Sequence, residues 1–201
     1  MSDSFKITIG DSEFGSCDYG ITINDKSWDI YASYLRKHPL YDHIHTAVNL
    51  FACLTDDSIR NKESKTWECC SVDEPGKIRL KFQIKNSTIK IDVHHFYGSL
   101  QSSKDENTLV AKDITVELMD YIEAVVFATA HTIKLQGMMG LTEGFGGPTS
   151  WGIDGHAETI PFHLFLYLAT IVKYGEPNTS IGFTEEFNII NEMAVHYLAD
   201  K

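Results

Sequence analysis

KIRLKFQIKNSTIKIDV, residues 77–93, decides the fold. Ile78, Leu80, Phe82 and Ile84 alternate with Lys77, Arg79, Lys81, Gln83 and Lys85. Asn86-Ser87 then turns the chain, and Ile89, Ile91 and Val93 alternate with Lys90 and Asp92. A period of two is that of a strand with one buried and one wet face, and the turn between makes the pair antiparallel. Thr66–Val72 adds a strand before it through the turn Asp73-Glu74-Pro75-Gly76, so the middle of the chain reads as a three-strand meander. Its wet face is rich in Lys and Arg. Lysine on exposed strands discourages edge-to-edge association, which explains that face without a nucleic-acid partner. No aromatic platform accompanies the cations, and the net charge of −11 opposes phosphate.

Upstream, Phe5–Ile9 and Tyr19–Ile23 alternate in the same way. Asn24-Asp25-Lys26 supplies a turn, and Trp28, Ile30 and Ala32 resume the pattern. After Pro39 the spacing changes to three and four. Asp42 is placed to cap a helix with Ile44, Ala47, Val48, Phe51 and Leu54 inward.

Downstream, the pattern is helical. Asp113 is placed to open a helix with Ile114, Leu118, Tyr121, Ile122, Val125, Thr129 and Ile133 on one face. Glu117, Asp120, Glu123 and His131 fall on the other, and Gly137 offers a stop. Thr159 and Pro161 start a second helix, apolar nearly all round from Phe162 to Val172, which reads as the central buried one; Gly175 and Pro177 end it. Thr184 with Glu185 and Glu186 starts a last helix, with Phe187, Ile190, Ala194, Tyr197 and Leu198 expected inward. The fold class expected is α+β: an antiparallel sheet of N-terminal strands and the meander, packed against four or so helices. One compact domain spans 1–201, strand-rich over 1–98 and helix-rich over 113–201, with a seam near 99–112.

The negative charge is lopsided. Residues 105–201 carry fourteen Asp/Glu against four Lys, while residues 1–104 carry fourteen against thirteen Lys/Arg. Charge of one sign costs stability through self-repulsion, so its concentration suggests a basic partner. The N-terminus lacks a basic start followed by an apolar stretch, and the apolar run Ile160–Tyr174 is too short to span a bilayer, so no membrane association is expected. Cys17, Cys53, Cys69 and Cys70 form no C-x-x-C pair and read as free thiols of a reducing cytoplasm.

Seven of the fourteen glycines lie between 137 and 155. Gly147-x-x-x-x-Gly152 matches the opening of a phosphate-binding loop, but Ile153-Asp154 stand where Lys-Ser/Thr is needed, and no G-x-G-x-x-G follows a strand. Phe145 and Trp151 in this loop can anchor a partner or fold back into the core. Asp154, His156 and Glu158 precede the second helix, yet without a recognised metal-binding spacing. His43 and His45 point apart on a helix, as His94 and His95 do on a strand. No Ser lies in G-x-S-x-G. No catalytic group, metal or cofactor is therefore assigned. A small hydrolase or metal-dependent enzyme using the His156 region stays as an alternative, and an acidic nucleic-acid mimic as a second.

The order of parts is similar to that of a known class. Gly10-Asp11, Phe14-Gly15, the hairpin through Tyr19–Ala32, a helix, the meander, a long helix ending in Gly137-x-x-Gly140, Trp151, and a Pro161-led apolar helix follow one another. In this the chain resembles bacterial immunity proteins encoded beside polymorphic toxins, including those of contact-dependent growth inhibition. The resemblance implies a cytoplasmic protein that blocks a cognate toxin with a basic surface, often a nuclease, by stoichiometric binding. Joined to the charge argument, it makes Glu117, Asp120, Glu123, Glu143, Phe145, Trp151, Asp154 and Glu158 the expected partner-binding residues.

Overall fold

A computed structural model describes residues 5–13, 16–33, 38–55, 66–72, 77–97, 106–143 and 160–199. The class is α+β, and the strands divide into two antiparallel sheets rather than one. The first contains β1 (Phe5–Glu13), β2 (Ser16–Ile23) and β3 (Lys26–Ser33) in chain order. The second contains β4 (Thr66–Val72), β5 (Lys77–Lys85), β6 (Thr88–Tyr97) and β7 (Glu106–Glu117). Four helices follow or intervene: α1 (Pro39–Thr55), α2 (Leu118–Glu143), α3 (Phe162–Tyr174) and α4 (Phe183–Ala199). The turn 73–76 and Thr159 lie outside the described residues.

Alternation puts Phe5, Ile7, Ile9, Tyr19, Ile21, Ile23, Ile30 and Ala32 inward from the first sheet. Cys69, Ile78, Leu80, Phe82, Ile89, Ile91 and Val93 point inward from the second. Both sets join one hydrophobic core with residues of all four helices. Two-residue loops connect β2 to β3 and β5 to β6, as the pairs Ile23↔Lys26 and Lys85↔Thr88 require. Asn24 and Asn86 take φ of 52° and 56° there, a left-handed conformation that asparagine tolerates and β-branched residues resist. Asn86→Ile is expected to cost about 1–2 kcal/mol by urea unfolding, while Asn86→Gly stays near wild type. Equal midpoints for the two variants would contradict this account of the turn.

The helix expected from Asp113 begins five residues later. Ile114, Val116 and Leu118 also fit a period of two, and β6 offers them an edge: Val116 pairs with Ile89 and Glu117 with Thr88. Asp113 sits in a β-bulge with φ 53°, and its amide donates to the Asp92 carboxylate at 2.8 Å. The meander is thus four strands, and the expected seam falls partly inside β7. At the strand's end the Leu118 amide donates to the Ser87 carbonyl at 2.8 Å, and the helix starts. It runs through Gly137 and Gly140, since a glycine inside a helix costs only about 1 kcal/mol.

The central helix is α2, not α3. Tyr121, Ile122 and every residue from Val125 to Ile133 are buried. Polar letters hid this in the sequence. Thr129 and Thr132 turn their hydroxyls back onto the carbonyls of Val125 and Ala128, at 2.6 and 2.8 Å, and present only methyl groups. His131, expected on the wet face, stacks on Tyr197 at 4.2 Å between ring centroids. Helix α3 is more exposed than its composition implies: His163 faces solvent, and Phe162, Leu164, Tyr167 and Val172 are half-buried. It ends at Gly175 with φ 80°, as expected.

Helix α1 starts at Pro39 rather than at Asp42. The His38 ring caps it, Nδ1 accepting from the Leu40 amide at 3.0 Å, while Asp42 sits in the first turn. In α4, Ile190, Ala194 and Tyr197 are buried as expected, but Phe187 and Leu198 are 59% and 52% exposed. Ile189 and Met193 take the inward places, and the Tyr197 hydroxyl accepts from the Ile9 amide at 2.9 Å, locking α4 onto β1.

Candidate functional site

Three of the expected partner-binding residues fall together. Glu117 is the exposed last residue of β7, and Asp120 and Glu123 lie half-buried on the first turns of α2. A spacing of three keeps Asp120 and Glu123 on one side of the helix, just beyond Glu117. Glu117 therefore belongs to the strand, not to the helix. Glu143 is the last residue of α2, twenty residues past Glu123, hence about 30 Å along the axis. Val125 to Ile133 between them is buried, so the 117–123 cluster and the Glu143 end are separate places. Phe145, Trp151, Asp154, His156 and Glu158 lie outside the described residues.

The expected basic face of the second sheet is a mixed array. Glu68 lies 3.6 Å from both Arg79 and Lys81, and Lys90 lies 3.4 Å from Asp113. In register, Glu68 opposes Lys81 and Lys81 opposes Asp92, a row of alternating sign across three strands. A groove of about 590 Å³ on this face is lined by Glu68, Lys81, Lys90, Asp92, Lys112 and Asp113. The outer face of the first sheet holds a second groove of about 550 Å³, with Asp18, Asp29 and Tyr31 around Gly20. A Cβ on Gly20 would meet the Thr8 hydroxyl and the Asp29 carboxylate, so those side chains would have to turn aside.

Between α3 and α4, Lys173 bonds Glu192 at 2.8 Å and Glu185 at 3.2 Å, and the Tyr174 hydroxyl donates to Glu185. The bond to Glu192, and secondarily that to Glu185, holds the Lys173 ammonium well above its usual range. The bond from Tyr174 lowers the Glu185 carboxyl. The one cation of α3 thus serves two carboxylates of α4.

The chemically unusual group is inside. His43, fully buried on α1, contacts the Tyr19 hydroxyl through Nε2 and the Tyr121 hydroxyl through Nδ1 at 3.0 Å. Burial pushes its pKa from 6.5 to about 3, so the ring is neutral and has one donor and one acceptor. Tyr121 also reaches the His43 carbonyl at 3.4 Å. One assignment satisfies every group: Tyr19 donates to Nε2, Nδ1–H donates to Tyr121, and Tyr121 donates to the carbonyl. This joins β2, α1 and α2 through three buried side chains. The sequence offered His43 only as a failed metal ligand, since its partners lie 24 and 78 residues away.

Among the described residues no three of His, Cys, Asp and Glu gather where a metal ion could be held. Cys17, Cys53 and Cys69 are buried and in no disulfide. No helix among these residues is long and apolar enough to cross a membrane. Comparison with family models, curated proteins and solved structures gives no match.

Proposed function

We propose that this chain is an immunity protein: it neutralises a cognate bacterial toxin domain by stoichiometric binding to a basic surface of that toxin. A nuclease is the toxin class whose phosphate-binding cleft such a field fits best. One observation carries the reading: the surplus of ten negative charges in residues 105–201. Where the second sheet has cations, local carboxylates meet them. Within the C-terminal half fourteen carboxylates share four lysines, with Lys173 serving both Glu185 and Glu192, and Lys90 of the first half meets Asp113. An acidic field of this kind steers a cationic protein and speeds encounter, more at low salt than at high.

The test uses the toxin domain encoded beside this chain. Co-expression should protect cells, and a one-to-one complex should form. The triple variant Glu117→Lys, Asp120→Lys, Glu123→Lys should associate at least about tenfold more slowly at low ionic strength. The Gln/Asn/Gln version, which keeps size and hydrogen bonding, should fall between. No protection by wild type overturns the proposal. Association rates unchanged by either variant remove this cluster from the docking surface.

A further inference from the structure

Helix α4 has two apolar faces, and only one is used by the fold. The inner face carries Ile189, Ile190, Met193, Ala194 and Tyr197, all buried. The outer carries Phe183, Phe187, Val195 and Leu198, which are 80%, 59%, 56% and 52% exposed. Positions 183, 187, 195 and 198 fall on one side of a helix, and the stripe runs about 22 Å along it. The Phe183 and Phe187 rings face each other at 6.4 Å between centroids, outside the core. Single exposed apolar residues need no explanation; two adjacent exposed aromatic rings, with Val195 and Leu198 on the same side beyond Asn191, mark an interaction surface.

The stripe is held rigid before anything binds. Lys173 clamps α3 to α4 through Glu185 and Glu192. The connection from Gly175 to Gly182 is pinned by the Asn178 amide on the Thr170 hydroxyl at 3.0 Å. The Gly182 carbonyl accepts from the amides of Glu185 and Glu186, fixing the first turn. Such preorganisation lowers the ordering cost of association.

Charge selects the occupant. Helix α4 contributes Glu185, Glu186 and Glu192 and no Lys or Arg, and the connection before it adds the exposed Glu176; Lys173, shared by Glu185 and Glu192, offsets one of these four charges. A second copy of this chain would bring the same acids, and a net charge of −11, against them. A partner with apolar side chains flanked by Lys or Arg meets both the rings and the field. We infer that the outer face of α4 is a docking site for a cationic protein segment with an apolar centre. Phe183 and Phe187 are its anchors, and Val195 and Leu198 extend it. The inference rests on the inhibitor reading for the identity of that partner, the toxin, and adds the surface on which it lands.

The test has two arms. In the first, a fluorescein-labelled helical peptide of lysine and leucine is titrated by anisotropy against the full chain, with a lysine-only peptide of equal charge as control. The leucine-containing peptide should bind Phe183→Ser/Phe187→Ser at least about tenfold more weakly than wild type. The lysine-only peptide should not distinguish them, and the exposed sites should leave the urea midpoint near wild type. Equal affinity for both proteins overturns the docking face. So does concentration-dependent dimerisation of wild type that the serine pair abolishes, which would make a second copy the occupant. In the second arm, the serine pair should lose protection against the adjacent toxin domain. A toxin bound equally by the serine pair overturns the docking face and leaves the inhibitor reading standing. A toxin ignored by wild type, while the peptide still requires Phe183 and Phe187, leaves the face and removes that reading.

Discussion

His43→Leu is expected to destabilise the fold by about 3 kcal/mol, read as a lower urea midpoint with an unchanged slope. Leucine keeps most of the volume, so the cavity contribution is small. The loss comes from polar groups. The Tyr19 hydroxyl, fully buried on β2, is left with no ring nitrogen to receive its proton. Tyr121 loses the Nδ1–H donor and retains only its long contact to the carbonyl of residue 43. A buried group deprived of its partner costs about 1–3 kcal/mol, more than the made bond contributed. Tyr19→Phe removes one orphan, so the double variant His43→Leu/Tyr19→Phe should be more stable than the sum of the single losses implies, a coupling of about 1 kcal/mol. Additive losses, or a His43→Leu cost below 1 kcal/mol, would show that the network does not stabilise the fold.

Acidification from pH 7 to pH 5 is expected to cost about 4 kcal/mol, the largest effect in this molecule. Two histidines carry it. Burial pushes both His38 and His43 from 6.5 down to about 3. Their folded-state values lie below the unfolded one, so unfolding takes up a proton at each. Stability is complete above about pH 6.5 and falls as pH drops toward the folded value, by about 1.4 kcal/mol per unit per group. At pH 5 that is about 2 kcal/mol for each histidine. The falling net negative charge acts in the opposite direction, but exposed charges contribute only a few tenths of a kcal/mol each. His38→Ser keeps a helix cap and removes one titrating group, so it should lose about half of the pH effect. Midpoints that coincide at pH 7 and pH 5 would contradict the burial of both rings as neutral species.

Strand and helix were told apart correctly wherever one period fitted and the other did not. Residues 78–93 fit only a period of two, whereas 162–172, apolar nearly all round, reads as a helix from its length and from Pro161 and Gly175 at its ends. The misreadings share a cause. Ile114 and Leu118 satisfy both periods while Val116 satisfies only the strand's, and the free edge of β6, a partner distant in sequence, makes the choice. Phe187 and Leu198 satisfy helical spacing on α4, but α2 and β1 cover only the side that holds Met193 and Tyr197. Periodicity says that a face is apolar; it does not say which of two apolar faces is covered. Of the candidate site, Glu117, Asp120 and Glu123 were legible as a local cluster because they are neighbours along the chain. The outer stripe of α4 was not, because a surplus apolar face looks like core until the packing is known.

The order of residues by itself determined the alternation of the strands, the asparagine turns, the acidic surplus of the second half and the α+β class, because each depends on neighbours a few positions apart. Only the tertiary structure decided that the strands form two sheets, that α2 is the buried helix, that His43 is held neutral between two tyrosines, and that α4 turns two phenylalanines to water. Those outcomes depend on which distant surfaces compete for the same apolar face, and that competition is settled when the chain closes on itself.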